Sequence, residues 1–174
     1  MGQQQVERFE ELILPHLDDA YTLARYLLRD EHDAQDATQD AALRAFRYFD
    51  NFRDGDARAW FLVIVRNCCR TWRRRHHSDR LTVPFTDDHA SIVQDSRATD
   101  AVAIERSDRA AIERAVASLP VEFREVIVLR ELQGLSYAQI GSVVGVPVGT
   151  VMSRLSRARK RLTGLLGANV TEAS

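Results

Sequence analysis

The sequence predicts an all-α protein built as two small helical domains joined by a flexible linker. Three observations carry this. Apolar residues recur every three or four positions through most of the chain, the period of an amphipathic helix. The β-branched residues fall into those same registers, and no alternating run is flanked by hairpin turns. Between about His76 and Thr99 the periodicity fades and Ser78, Pro84, Ser91, Ser96 and several aspartates take its place. With 174 residues, 45% of them apolar, the chain can bury one ordinary core or two small ones.

Val6, Phe9, Ile13, Leu17, Ala20, Ala24 and Leu27 form the first helical stripe, with Pro15 kinking or dividing it. Asp30 is placed to cap the next helix, and Asp33 in its first turn suits the helix dipole; that helix runs to about Tyr48. Asp50, Asn51, Asp54, Gly55 and Asp56 make a turn-rich break. A strongly apolar helix then begins near Ala57, carries Trp60, Phe61, Val63, Ile64 and Val65, and ends in the arginine cluster Arg70 to Arg75. Helical spacing returns from Ala101 to Leu119 and stops at Pro120, which cannot continue the backbone ladder. Another helix spans roughly Val121 to Gln133. Gly134 ends it, Ser136 caps Tyr137 to Val144, and Gly145, Val146 and Pro147 turn the chain into a last helix opening near Val148 to Thr150.

The formal net charge of -1 hides an uneven distribution. Residues 1–50 hold five basic and eleven acidic side chains, and residues 51–80 hold eight and three. Residues 81–120 hold four and seven, and residues 121–174 seven and four. Two basic blocks alternate with two acidic ones, which fits two surfaces for a polyanion and others for a different partner; ordinary solvated helix faces are the alternative. No apolar run approaches the roughly 18 residues that span a bilayer, and Met1 to Glu10 lacks the regions of a signal peptide, so no membrane insertion and a cytoplasmic location are expected. Cys68 and Cys69 are adjacent and cannot staple distant segments. Neighbouring helical residues point about 100° apart, so Cys68, Cys69, His76 and His77 do not converge on a metal. There is no Gly-rich phosphate loop and no nucleophile motif. No cofactor, metal or catalytic residue is expected, and the chain reads as a non-enzyme.

The last two helices carry the sharpest pattern. Val151, Leu155, Ala158 and Leu162 line one face of the final helix, while Ser153, Arg154, Arg157, Lys160 and Arg161 line the other. Two helices joined by a short Gly-containing turn, the second basic, satisfy the geometry of a helix-turn-helix whose second helix enters the major groove. Periodicity alone also allows an antiparallel pair with a solvated basic face. The string Leu119-Pro120, Phe123-Arg124-Glu125-Val126-Ile127, Gly134-Leu135-Ser136-Tyr137-Ala138-Gln139-Ile140 and Gly149-Thr150-Val151-Met152-Ser153-Arg154-Leu155-Ser156-Arg157-Ala158-Arg159 resembles domain 4 of extracytoplasmic-function sigma factors. The resemblance implies that this helix reads the minus-thirty-five promoter element. Met152, Ser153, Ser156 and Arg157 would then face bases, and Thr150, Arg154 and Arg161 would anchor phosphates. Gly141 stands where alanine is usual in that family and Gln139 where glutamate is common; the fold is expected to survive both.

Residues Asp33 to Phe46 resemble the same family's helix that grips the polymerase clamp. The resemblance assigns core polymerase binding to Asp36, Gln39, Asp40 and Arg44, an acidic face suited to an arginine-rich partner. Phe49-Asp50-Asn51-Phe52-Arg53 and Ala59 to Asn67 resemble its minus-ten element. A base pulled from the duplex needs polar edges and a platform, which the loop from Asp50 to Asp56 is positioned to supply through Asn51, Phe52 and Arg53. Asn67 would read a base and Arg66, Arg70, Arg73 and Arg74 would hold the backbone. Trp60 is expected in the core, Trp72 exposed.

The resemblance covers nearly the whole chain. It implies domain 2 over residues 1–77, a linker over 78–100, domain 4 over 101–168 and a tail over 169–174. Its partners would be core RNA polymerase (the β′ clamp and the β flap), promoter DNA and an anti-sigma factor. An ordinary helix-turn-helix regulator explains only the carboxy-terminal half, and an interaction module such as an anti-sigma antagonist gives no reason for Asn67 or the basic recognition face.

Overall fold

The computed structural model describes the backbone of residues 3–80 and 100–172 and the side chains of 3–75 and 108–167. Residues 81–99, most of the expected linker, lie outside the described residues. So do residues 173 and 174 of the expected tail and the side chains of His76 and His77. Every regular element among the described residues is helical: α1 (Gln3–Ile13), α2 (Leu17–Leu28), α3 (Glu31–Tyr48), α4 (Ala57–Arg80), α5 (Asp100–Ser118), α6 (Val121–Ile127), α7 (Tyr137–Val144) and α8 (Val148–Glu172).

Pro15 divides the first stripe as expected, through a short 3-10 turn over Leu14–His16. Asp30 caps α3, its Oδ1 accepting the Asp33 N–H at 2.9 Å. α3 buries Ala34, Ala37, Ala41 and Ala45 at steps of three and four. A stripe of methyl groups lets α2 and α4 pack close against it. α4 opens under a second cap, with Asp56 Oδ1 accepting the Ala59 N–H at 2.9 Å, and fills the centre with Phe61, Leu62 and Val65. Each such side chain contributes about 1.5–3 kcal/mol on leaving water. α4 runs to Arg80, past the expected start of the linker near His76, and α8 runs to Glu172, past the expected end of its domain at 168. Neither stretch holds a glycine or proline to break the ladder.

In the second half, α6 widens into a π-type turn over Val128–Leu132, which the sequence did not foretell. The Gln133 N–H reaches back five residues to the Val128 carbonyl at 3.2 Å, and left-handed Gly134 (φ 68°) ends the run. Ser136 caps α7 in a full capping box: its Oγ accepts the Gln139 N–H at 3.2 Å, and Gln139 Oε1 accepts the Ser136 N–H at 2.8 Å. Gly145 closes α7 in the left-handed region, φ 71°.

Gly141 matters more than expected. Its carbonyl accepts the N–H groups of both Gly145 and Val146, and a Cβ at 141 would stand 2.9 Å from the Val146 carbonyl oxygen, backbone that cannot swing aside. Replacing Gly141 with Ala is expected to cost about 1–3 kcal/mol by overpacking the turn. Urea unfolding of the variant checks this.

The two halves do not keep separate cores. α2 packs on α6 and α4 on α7, and one continuous apolar cluster runs from Phe9 to Ala158.

Candidate nucleic-acid and polymerase interfaces

α8 presents the face expected of a recognition helix. Val151, Leu155 and Ala158 are buried, while Met152, Ser153, Ser156, Arg157, Lys160 and Arg161 are exposed, Met152 at 53%. Thr150 is half-buried, and its carbonyl accepts from Ser153 Oγ at 3.0 Å. The Arg161 guanidinium lies 5.1 Å from the centre of the Phe123 ring, which steadies it while leaving it at the surface. Arg159 is engaged by Glu131 at 2.6 Å. Arg154, assigned to phosphates, is turned inward to Glu125 at 3.3 Å.

On α4, Asn67, Arg70 and Arg74 are exposed at steps of three and four, so they share one face, with exposed Arg73 beside it. Asn51 and Arg53 are exposed in the preceding loop. Phe52 is not at the surface. It is 7% exposed and sits within an aromatic cluster, 6.0 Å from Phe49 and 5.2 Å from Trp60, centre to centre. Short polar neighbours made it look like a loop platform, but its ring completes the packing of Phe9, Phe46 and Phe49 that holds the loop down. Trp60, expected in the core, and Trp72, expected exposed, are both half-buried and packed against the core. Arg66 donates through Nε and Nη2 to both oxygens of Glu125, at 2.7 and 3.0 Å.

On α3, Asp36 and Gln39 are exposed, and Asp40 holds Arg44 one turn on at 3.0 Å. Leu43 lies on the same face, 53% exposed. Sequence reading missed it, because a leucine in a helix reads as core. Its register, seven residues after Asp36 and three after Asp40, is the signal that places it among the acidic side chains.

Two more residues were missed. Glu125 is 5% exposed at its side chain, and it bridges Arg66 to Arg154. Arg124 is buried, donating to the carbonyls of Tyr26 (3.0 Å), Ala117 (2.7 Å) and Leu119 (2.7 Å). Burial pushes its pKa down to about 10, so it stays charged at neutral pH. Both sit inside the apolar run Phe123 to Leu129, and adjacent opposite charges in such a run mark a buried polar junction.

The cysteines are inert. Both are fully buried, and burial raises the Cys68 thiol to about 11 and Cys69 to about 12, away from thiolate chemistry. Among the described residues no group of His, Cys, Asp and Glu is arranged to hold a metal, and no helix is long and apolar enough to cross a membrane.

Residues 12–78 match the sigma-70 region 2 family and residues 109–162 match sigma-70 region 4. The chain is 39% identical over 160 residues to the ECF RNA polymerase sigma factor SigM of Mycobacterium tuberculosis, covering 91% of this chain and 77% of that protein. It is 31% identical to the RNA polymerase sigma-H factor of Pseudomonas aeruginosa, covering 98% and 96%. Against ECF sigma factor SigE of Mycolicibacterium smegmatis, at 32% identity, it spans 64% of the relative's length. Among solved structures it is similar to the sigma factor RpoE of Bartonella quintana, solved with the anti-sigma factor NepR (TM-score 0.77, 26% identity, 92% and 98% covered). It is also similar to CnrH, solved with the cytosolic domain of CnrY (TM-score 0.69, 28% identity, 96% and 91% covered). With both of its halves matched in order, the chain belongs to the sigma-70 family, in the extracytoplasmic-function group of RNA polymerase sigma factors.

Proposed function

We propose that this chain directs core RNA polymerase to promoters through two DNA-reading helices, α4 for the minus-ten element and α8 for the minus-thirty-five element. The observation that carries the reading is the pairing of two exposed basic faces, Asn67, Arg70, Arg73 and Arg74 on α4 and Met152, Ser153, Ser156, Arg157 and Arg161 on α8, with an acidic face on a third helix. Residues 1–77 act as domain 2 and 101–168 as domain 4. Phosphates are held by Arg70, Arg73, Arg74, Thr150 and Arg161, joined by Arg66 and Arg154 once these leave Glu125. Asn51, Arg53 and Asn67 serve the melted strand, with Phe52 bracing the loop from beneath. Arg157 and its neighbours meet base edges, where a good bidentate contact discriminates by about 1–3 kcal/mol.

Sigma factors are transcription initiation factors. Here the polymerase supplies the chemistry and the chain acts as a cytoplasmic non-enzyme. Asp36, Gln39 and Asp40, with Arg44 braced by Asp40 and Leu43 adding apolar area, face the β′ clamp, while domain 4 meets the β flap. One of the similar structures, RpoE of Bartonella quintana, holds the anti-sigma factor NepR, which supports an anti-sigma factor as this chain's regulator.

Replacing Asp36, Gln39 and Asp40 together with alanine is expected to weaken core polymerase binding at least about tenfold, since several charge-complementary contacts are lost at once. DNA binding by α8 should be unaffected. Equilibrium binding to core polymerase checks the first and a duplex-binding assay the second. Equal loss of both would contradict the assignment.

A further inference from the structure

We propose that the unbound chain is latched shut by its own two halves, with Glu125 taking the place of a DNA phosphate between one arginine of each DNA-reading set. The inference rests on the preceding assignment of Arg66 and Arg154 to DNA. Arg66 reaches Glu125 in the fork geometry that guanidinium adopts with phosphate or carboxylate alike, at 2.7 and 3.0 Å, and Arg154 adds a third contact at 3.3 Å. The side chains of these three residues are 13%, 5% and 24% exposed for Arg66, Glu125 and Arg154. While this junction stands, neither arginine is available to a backbone.

The junction is one of several contacts across the same seam. Arg58, held within the first half by Asp19 at 2.7 Å, donates across to the Gln133 carbonyl at 2.8 Å. Gln133 Nε2 donates to the Asp19 carbonyl at 2.7 Å, and Arg25 meets Glu113 at 3.1 Å. At the rim, Gln139 Nε2 donates to Asp56 Oδ2 at 2.5 Å. Asp56 is held below the usual carboxylate range despite burial by the N–H groups of α4, Gln139 and Arg58, so it faces Gln139 as an anion.

Geometry requires the seam to part. Elements centred about 25 base pairs apart are separated by roughly 85 Å of duplex at 3.4 Å per base pair, whereas α4 and α7 are in contact. One chain cannot serve both elements while closed.

Gln139 makes the latch testable without disturbing either DNA face. Glutamate at this third helical position keeps the capping box, since its carboxylate still accepts the Ser136 N–H. It replaces the donor facing Asp56 with a second anion. Asp56→Asn in that background restores a donor and keeps the α4 cap, because asparagine caps as well as aspartate. Spin labels on Glu10→Cys and Ser142→Cys, exposed sites on either side of the seam, report the separation in the full chain. The native thiols are too buried to label.

The parent is expected to give one short, narrow distance distribution. Gln139→Glu should raise the population of a longer component about tenfold or more, the size of a lost charged hydrogen bond plus like-charge repulsion. The Asp56→Asn/Gln139→Glu chain should return to the parent distribution. Parent-like distances in Gln139→Glu, or opening that Asp56→Asn fails to reverse, would overturn the latch. Transcription with core polymerase separates the two readings. A variant that opens yet starts no promoter-specific transcripts refutes the DNA assignment and leaves the closed seam standing; a chain that starts them while its label-to-label distance stays short in the polymerase complex refutes the latch.

Discussion

Replacing Glu125 with alanine is expected to destabilise the fold by about 3–5 kcal/mol, the cost of stranding a buried charge whose partner has been removed. Here two charges are stranded. Arg66 and Arg154 both converge on this carboxylate, and without it two poorly solvated guanidinium groups are left to repel each other. Glu125→Gln keeps an acceptor for one of them and should lose distinctly less. Urea unfolding followed by circular dichroism measures both, and equal, small losses for the two would show that the bridge adds nothing in solution. A loss of this size is a large fraction of the roughly 5–15 kcal/mol by which a domain is stable.

Arg124→Ala should produce the next largest effect, about 3 kcal/mol, because a charged donor serving several buried acceptors is removed. Its acceptors explain the magnitude. The Tyr26 carbonyl lies in the last turn of α2, and Ala117 and Leu119 are at and just past the end of α5, so one guanidinium satisfies two helix ends where the dipole favours a cation. It also ties the first half of the chain to the second. Arg124→Lys should rescue little, since an ammonium is a point donor and the three carbonyls need a planar fork. A lysine variant as stable as the parent, by thermal unfolding, would mean that charge alone suffices at this junction.

These two residues show where reading the sequence stopped. The helices were legible because their determinants are local: Pro15 and Pro120 break the chain, Asp30 and Ser136 cap it, and the apolar stripes repeat at the helical period. The exposed face of α8 was legible for the same reason, since the registers that bury Val151, Leu155 and Ala158 leave Met152, Ser156 and Arg157 outside. What depended on the packing of one half against the other was not. Nothing local distinguishes Arg66, which is paired across the seam, from Arg70, which is exposed. Phe52 followed polar turn residues and read as a surface ring, yet it joins an aromatic cluster assembled from α1, α3 and α4. The π-type turn at Val128–Leu132 also has no sequence signature, because one shifted carbonyl pairing creates it. Gln139 and Gly141 were recognised as departures from the family pattern, but their consequences appear only when Asp56 and the Val146 carbonyl stand opposite them.

The central claim, that this chain selects promoters for RNA polymerase, is tested most directly by mixing the purified protein with bacterial core polymerase and a genomic promoter library and mapping transcript starts with and without it. The account predicts new starts that depend on the protein and share two upstream motifs at a fixed spacing. A protein that failed to bind core polymerase yet selected duplex sites by itself would contradict the account and make the chain a helix-turn-helix regulator.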